Sequence, residues 1–292
     1  MTGQLVSDEP ATAVLSGAAL AKEIRAGVTA AAETLARAGT PPRLAVVVAT
    51  DDESTAWYVR SIAKAASKTG IRCDIVDLGS EATPDEIRGR LTELSEDASV
   101  HGIMLQTPLP GGASVEDLAA SIVPDKDVDG ANPVSLGRLS AGMPAFVPAT
   151  AAAVMELLDH YAVPLAGRRA VVVGRSSVVG KPAAQLLLQR DATVTVCHRH
   201  TRDLAAHTRP AEVLVVAVGR AGLIGAEHVD AGAVVIDVGT NPTADGGLTG
   251  DVDEADVAGS VAGLTPVPGG VGPVTTALLL RHTIESASRS RP

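Results

Sequence analysis

The chain predicts two α/β domains, the second of them doubly wound, and three observations carry that expectation. Its 292 residues suffice for two domains, at roughly 100–200 residues each. Short runs rich in valine and isoleucine alternate with segments of helical spacing, an order that implies parallel strands covered by helices. The alternation starts afresh after about Pro148, so the second block has a core of its own.

In the first block, 44–49 (LAVVVA) is apolar and β-branched, as a strand buried on both faces must be. Segment 55–69 has helical spacing and stops at Gly70, a C-cap signal. Segment 72–78 (RCDIVDL) is the next strand. Thr83 is an N-cap, Pro84 suits the first helical position, and Asp85 and Glu86 complement the helix dipole, so a helix opens here and runs to about Ser95. Segment 102–106 (GIMLQ) completes a β-α-β-α-β order. In the second block, 151–160 and 181–189 are helical, and 169–173 (RAVVV) and 193–197 (TVTVC) are strands. Segments 213–218 (VLVVAV) and 233–238 (AVVIDV) add two buried strands and complete the doubly wound, Rossmann-like pattern. A helix over 274–287 follows a Pro/Gly-rich loop; 288–292 and the first ten or so residues are expected to be loose.

Composition removes several function classes. The net charge is −10, the wrong sign for a non-specific nucleic-acid binder. One Trp, two Tyr and one Phe leave no base-stacking platform. No run approaches the roughly 18 apolar residues of a membrane span, and the polar, acidic N-terminus lacks the basic start of a signal peptide. A cytoplasmic protein is expected. Cys73 and Cys197 are too few for a disulfide framework or a metal cluster, and both read as buried thiols in strands. No metal site is expected.

The segment RAVVVGRSSVVGKPAAQLLL reads strand, glycine loop, helix. Gly174 ends the strand and Gly180 opens the helix, so backbone N–H groups can face a phosphate at the positive helix end. The spacing is neither G-x-G-x-x-G nor that of a P-loop, and Pro182 stands where a P-loop has its magnesium-binding hydroxyl. A loop with only a packing role is the alternative. The next strand ends CHRHT, with Arg199 and no carboxylate, and Arg175 adds a second cation. Dinucleotide folds that prefer NAD place an acid there, whereas two arginines suit a ribose 2′-phosphate, so NADP is favoured over a merely solvated basic edge. His198 and His200 read as structural or exposed. VIDVGTN (235–241) ends a strand in glycine, which permits close approach to a nicotinamide ring or forms a simple turn.

In the first domain the unusual segments are QTPLP from Gln106 and the acidic PDKDVDG, 124–130; TPVPGGVGPVT follows Leu264. Together with STAWYV, NPVSLGRL, VVVGRSSVVGKP and AVVIDVGTN, these resemble the bifunctional methylenetetrahydrofolate dehydrogenase/cyclohydrolases from about Val14 to Ala287. The resemblance implies a folate-binding catalytic domain over 1–147 and an NADP-binding domain over 148–273. It further implies a helix over 274–292 that returns to the first domain, a cleft between the domains, and a homodimer joined through the nucleotide domain. The implied reaction oxidises 5,10-methylenetetrahydrofolate to the methenyl cation, which water then opens to 10-formyltetrahydrofolate. This is one-carbon supply for purine, histidine and methionine biosynthesis. By position, Tyr58 flanks the pterin, Gln106 assists the one-carbon centre, Asp129 hydrogen-bonds the pterin, and Thr55 lies on the substrate side. Pro268, Gly269 and Gly270 supply a backbone wall. Gly174, Arg175, Ser176, Val179 and Gly180 fall at cofactor positions, as do His198, Arg199, Gly219, Gly239 and Thr240.

The chain departs from that family on the folate side. The family's Y-V-x-x-K-x-K reads Tyr58-Val-Arg-Ser-Ile62-Ala-Lys64, so the catalytic lysine is Ile62. Position 62 is four residues from Tyr58 on one helix face; Lys64 and Arg60 lie about 200° away at roughly 100° per residue and cannot stand in. A serine three residues before the tyrosine is Thr55, and the cysteine and second proline of P-C-T-P are Ala149 and Ala151. Hydride transfer needs mainly alignment. Hydration of the cation needs a positioned acid or base, worth about 10²–10⁴-fold, which isoleucine cannot supply. The expectation is an NADP-dependent dehydrogenase with a weak or lost cyclohydrolase step. A fully bifunctional enzyme with a substitute group is one alternative, and a folate- or nucleotide-binding pseudoenzyme is another.

Overall fold

The computed structural model describes residues 12–290, so the expected looseness of the first ten residues lies outside the described part. Strand β1 (Ala13–Val14) leads into α1 (Ala18–Arg37). Then come β2 (Arg43–Val48), α2 (Glu53–Lys68), β3 (Arg72–Asp77), α3 (Pro84–Glu96) and β4 (Gly102–Leu105). Short helices α4 (Val115–Ala119) and α5 (Pro133–Ser140) precede α6 (Ala149–His160). The second block runs β5 (Arg169–Val173), α7 (Gly180–Gln189), β6 (Thr193–Cys197), α8 (Leu204–Thr208), β7 (Val213–Val216) and β8 (Val234–Asp237). A small hairpin, β9 (Asn241–Pro242) and β10 (Leu248–Thr249), is followed by α9 (Glu254–Val257), β11 (Gly263–Leu264) and α10 (Val271–Arg289).

Two parallel sheets result. The first has the order β3-β2-β4 and the second β1-β11-β8-β7-β5-β6. Leu44 to Val47 on the central strand of the first sheet are fully buried, because helices cover both faces. The capping box of α3 forms as the sequence predicts: Glu86 N–H donates to Thr83 Oγ1, and Thr83 N–H donates to Glu86 Oε2 at 2.8 Å. Helix α2 begins two residues earlier than the expected 55, at Glu53, and is capped by Asp52, whose Oδ2 accepts from Thr55 N–H at 2.7 Å.

Several expectations need correction. The 20-residue α1 has no counterpart in the sequence reading. A division at 147 assigns Ala13–Val14 to the first domain, yet these residues pair with β11 at the edge of the second sheet, where they satisfy an open row of backbone groups. Helix α10 begins at Val271 and stays helical through Arg289, so the predicted fraying from Ser288 does not occur within the described residues. It does not belong to the first domain alone: it packs on α1 and α6 as well as on β2 and β4, and its buried residues join both cores. Cys197 is buried as predicted, but Cys73 is only half-buried, because β3 is the edge strand of its sheet. Among the described residues no helix is long and apolar enough to cross a membrane.

Candidate active site

The residues singled out in the first domain gather at the C-terminal ends of its strands, where parallel sheets place ligand-binding loops. Tyr58 lies on the first turns of α2. Burial pushes its pKa up to about 12, helped by the nearby Asp129 charge and opposed by Thr276 of α10. It is therefore a neutral phenol at physiological pH. Thr55 is buried, and its hydroxyl donates to Asp52 at 2.8 Å, which occupies it in the cap of α2.

Asp129 ends the acidic loop. Burial pushes its carboxyl up to about 7, with the Asp127 charge as the second cause. The two acids of that loop have different environments. Asp127 is fully buried and accepts from the N–H groups of Ala131 at 3.0 Å and Asn132 at 2.8 Å, so it holds the turn. Asp129 has no such cage among the described residues and faces Tyr58. Gly130 has φ 68°, and a Cβ there would overlap the backbone of Val147 and Pro148, so the loop fits only glycine. Gln106 follows β4, and its Nε2 donates to Thr107 O at 2.8 Å. The loop of Pro268, Gly269 and Gly270 lies against the start of α1, where Gly17 N–H donates to Gly269 O at 2.9 Å.

Ile62 shares the face of α2 with Tyr58, as the spacing predicts, but it is 0% exposed. It packs in an apolar cluster with Val28, Val59, Ile71, Val128, Leu279 and Leu280. Lys64 is exposed on another face of α2. No proton-carrying side chain stands at position 62.

In the second domain Gly174 ends β5 with φ 125°, and a Cβ there would collide with Ala217 O. Gly180 is pressed onto Gly174, so both glycines are required by the closeness of loop, strand and helix. Ser176 Oγ accepts from Val179 N–H at 3.2 Å and Gly180 N–H at 3.3 Å, holding the first N–H groups of α7 toward the loop. Arg175 and Arg199 are exposed, and among the described residues neither forms an ion pair with a carboxylate. Arg199 Nε donates to His200 Nε2 at 3.1 Å, and His198 Nδ1 accepts from His200 N–H at 3.2 Å, a structural use of the histidines as the sequence suggests. Free guanidinium groups, a glycine cradle and a helix N-terminus together fit an anionic dinucleotide. Gly219, Gly239 and Thr240 lie on the loops after β7 and β8.

Sequence reasoning missed Asp237 and Asp251. Asp237 has a visible signal, an acid inside the apolar run AVVIDV. Burial pushes it up to about 6 despite three backbone N–H donors. Asp251 has none, since its partners are distant in sequence.

Family models match both halves of the chain. Residues 15–129 match the tetrahydrofolate dehydrogenase/cyclohydrolase catalytic domain, and residues 148–291 match that family's NAD(P)-binding domain. The chain is 74% identical over 282 residues to bifunctional protein FolD 1 of Saccharopolyspora erythraea, covering 97% of this chain and 96% of that one. Among solved structures it resembles the bifunctional FolD methylenetetrahydrofolate dehydrogenase/cyclohydrolase of Campylobacter jejuni, with TM-score 0.92 and 39% identity over 96% of this chain and 99% of that one. It also resembles the Trypanosoma brucei FolD complexed with NADP cofactor and inhibitor, with TM-score 0.92 and 38% identity over 96% and 99% of the two chains. On both halves, then, this chain belongs to the tetrahydrofolate dehydrogenase/cyclohydrolase family.

Proposed function

We propose that the protein oxidises 5,10-methylenetetrahydrofolate to 5,10-methenyltetrahydrofolate with NADP, and that its cyclohydrolase step, to 10-formyltetrahydrofolate, is weak or lost. The observation that carries the second half is Ile62: an aliphatic side chain, fully buried in the core, at the position where the family pattern has its lysine. The folate side is assigned to the first sheet and its helices up to residue 147, the cofactor side to residues 148–270 together with β1, and the shared element to α10. We further propose a cytoplasmic homodimer joined through the nucleotide domain.

The roles follow from the environments. Asp129 binds the N–H edge of the pterin as a carboxylate, and Tyr58 packs beside the ring as a neutral phenol. Gln106 points its amide at the one-carbon centre, and Pro268, Gly269 and Gly270 line the pocket with backbone. Gly174, Ser176, Val179 and Gly180 cradle the pyrophosphate at the N-terminus of α7. Arg175 and Arg199 hold the 2′-phosphate, beside His198, which makes NADP the preferred cofactor. The bound cofactor supplies the hydride acceptor. The protein's part is alignment of two flat rings across the cleft, which lowers the barrier by proximity.

One observation favours a second reading, a fully bifunctional enzyme. Asp129, with its pKa pushed up to about 7, lies near Tyr58, and a group poised near neutrality suits acid–base work. Two assays separate the readings: growth of methenyl-folate absorbance from methylene-folate with NADP and then NAD, and decay of supplied methenyl-folate. The first reading expects NADP-dependent growth and decay at the buffer rate. Growth with fast enzymatic decay favours the second, and no growth with either cofactor leaves the pseudoenzyme.

A further inference from the structure

Three loops at the C-terminal edge of the six-stranded sheet are tied together by two buried carboxylates that the proposed chemistry does not use. Asp251, fully buried after the β9–β10 hairpin, accepts from the N–H groups of Val218 at 2.7 Å, Gly219 at 3.0 Å and Arg220 at 2.7 Å. It also reaches the loop after β8, where Asn241 Nδ2 donates to its Oδ1 at 2.9 Å. Asp237, at the end of β8, accepts from Gly239 N–H at 2.8 Å, Asp251 N–H at 3.0 Å and Val252 N–H at 2.9 Å. The N–H of Asp237 donates to Thr265 Oγ1 at 2.7 Å, at the start of the loop that carries Pro268 to Gly270.

Burying two neighbouring carboxylates is costly, and the backbone donors offset that cost. Every donor is thereby committed to one geometry. The contacts are close enough that a Cβ on Gly239 would overlap Asp251, and one on Gly250 would overlap Asp237. The sheet order says which part of the cofactor these loops serve. Arg199 follows β6 at one edge, the glycine loop follows β5, and the tied loops follow β7 and β8 on the far side. A dinucleotide with its 2′-phosphate at β6 and its pyrophosphate at β5 reaches β7 and β8 with its other half.

We infer that Asp251, bridged by Asn241, is a positioning residue for the nicotinamide half of the cofactor, holding the 218–220 and 239–241 loops in one mutual arrangement. The inference rests on the proposed NADP reading. It requires loss of these ties to weaken whole NADP while sparing the adenosine half.

The test is Asn241→Ala, which removes the amide bridge and leaves the main-chain pairing of Asn241 with Thr249 available. Calorimetry measures binding of NADP and of adenosine 2′,5′-bisphosphate, a probe that lacks the nicotinamide. A hydrogen bond to a charged group is worth enough that the expected loss for NADP is about tenfold. The probe should bind the variant as it binds the parent, and the KM for methylene-folate should not move. Asp251→Asn should show the same split, larger, and if that variant does not fold then Asn241→Ala carries the test alone. Equal losses for NADP and the probe, or no loss for either, would overturn the inference and leave the carboxylates a purely structural tie. A parent protein that binds neither ligand would overturn the NADP reading and this inference with it.

Discussion

Replacing Ile62 by lysine restores the family's side chain and puts an amine in a core that excludes water. Ile62 is 0% exposed among Val28, Val59, Ile71 and other apolar neighbours. An amine held neutral there at pH 7 costs about 1.4 kcal/mol for each unit below its free pKa of about 10.4, or about 4–5 kcal/mol. Snorkelling toward Tyr58 and the cleft would recover part of this, so the expected loss is about 3–5 kcal/mol at pH 7, against a total stability of about 5–15 kcal/mol for a typical domain. The folded pKa of the introduced amine is depressed, so the folded state binds fewer protons than the unfolded one. The deficit is therefore smallest above about pH 10 and grows as pH falls. Urea unfolding of Ile62→Lys and the parent at pH 7 and pH 10 measures it. Any variant that remains folded should hydrolyse methenyl-folate faster than the parent, by at most the 10²–10⁴-fold typical of a positioned acid or base. An equal stability for both proteins at both pH values would refute the reasoning, since the side chain would then reach solvent freely.

Other perturbations probe the remaining parts of the account. Arg199→Ala should weaken NADP by about tenfold or more, the worth of a charge-assisted phosphate contact, and leave NAD nearly unchanged; equal losses in a binding titration would make Arg199 merely structural. Asp129→Ala should weaken folate binding by about 1–3 kcal/mol while NADP binding persists. Because Asp129 is pushed up to about 7, folate affinity should rise as pH increases through that value, where the carboxylate acceptor forms, and a flat profile from pH 6 to 8 would count against its role. The folded-state pKa values of Asp129 and Asp237 are both raised, to about 7 and about 6. Their contribution to stability is therefore fully present below pH 4, their ordinary range, and is lost as pH rises through 6 and 7; melting curves across that interval read it. Gly174→Ala should lower the melting temperature and abolish cofactor binding together, because φ 125° and contact with Ala217 O leave no room for a Cβ.

Much of the fold was legible because its strands are short apolar runs. Apolar runs at 46–48, 171–173 and 213–216 can only be buried between layers, and the N-cap of α3 is written in Thr83, Pro84 and Glu86. Helix α1 escaped notice because its alanines blur the contrast between faces, although Leu20, Val28, Ala32 and Leu35 form its buried stripe. The two-residue strands β1 and β11 are too short to show any period, and their pairing joins Ala13 to Gly263, so a boundary drawn in sequence could not see it. Cys73 is half-buried rather than buried because β3 is the edge of its sheet, a position that RCDIVDL does not itself reveal. At the site, glycines and arginines advertised the nucleotide side through local spacing. The ties of Asp251 to residues 218–220 and to Asn241 exist only once the chain is folded.

On the proposed reading this protein makes methenyl-folate and does not hurry its hydrolysis. A single absorbance trace tests it: methylene-folate and NADP are mixed with the unmodified protein, and methenyl-folate is followed until the cofactor is spent and then through its decay. The expected trace is a rise that requires NADP and a decay matching the buffer control. A rise that never accumulates, because enzymatic decay outruns it, would show that another group manages the proton in place of the lysine absent at Ile62.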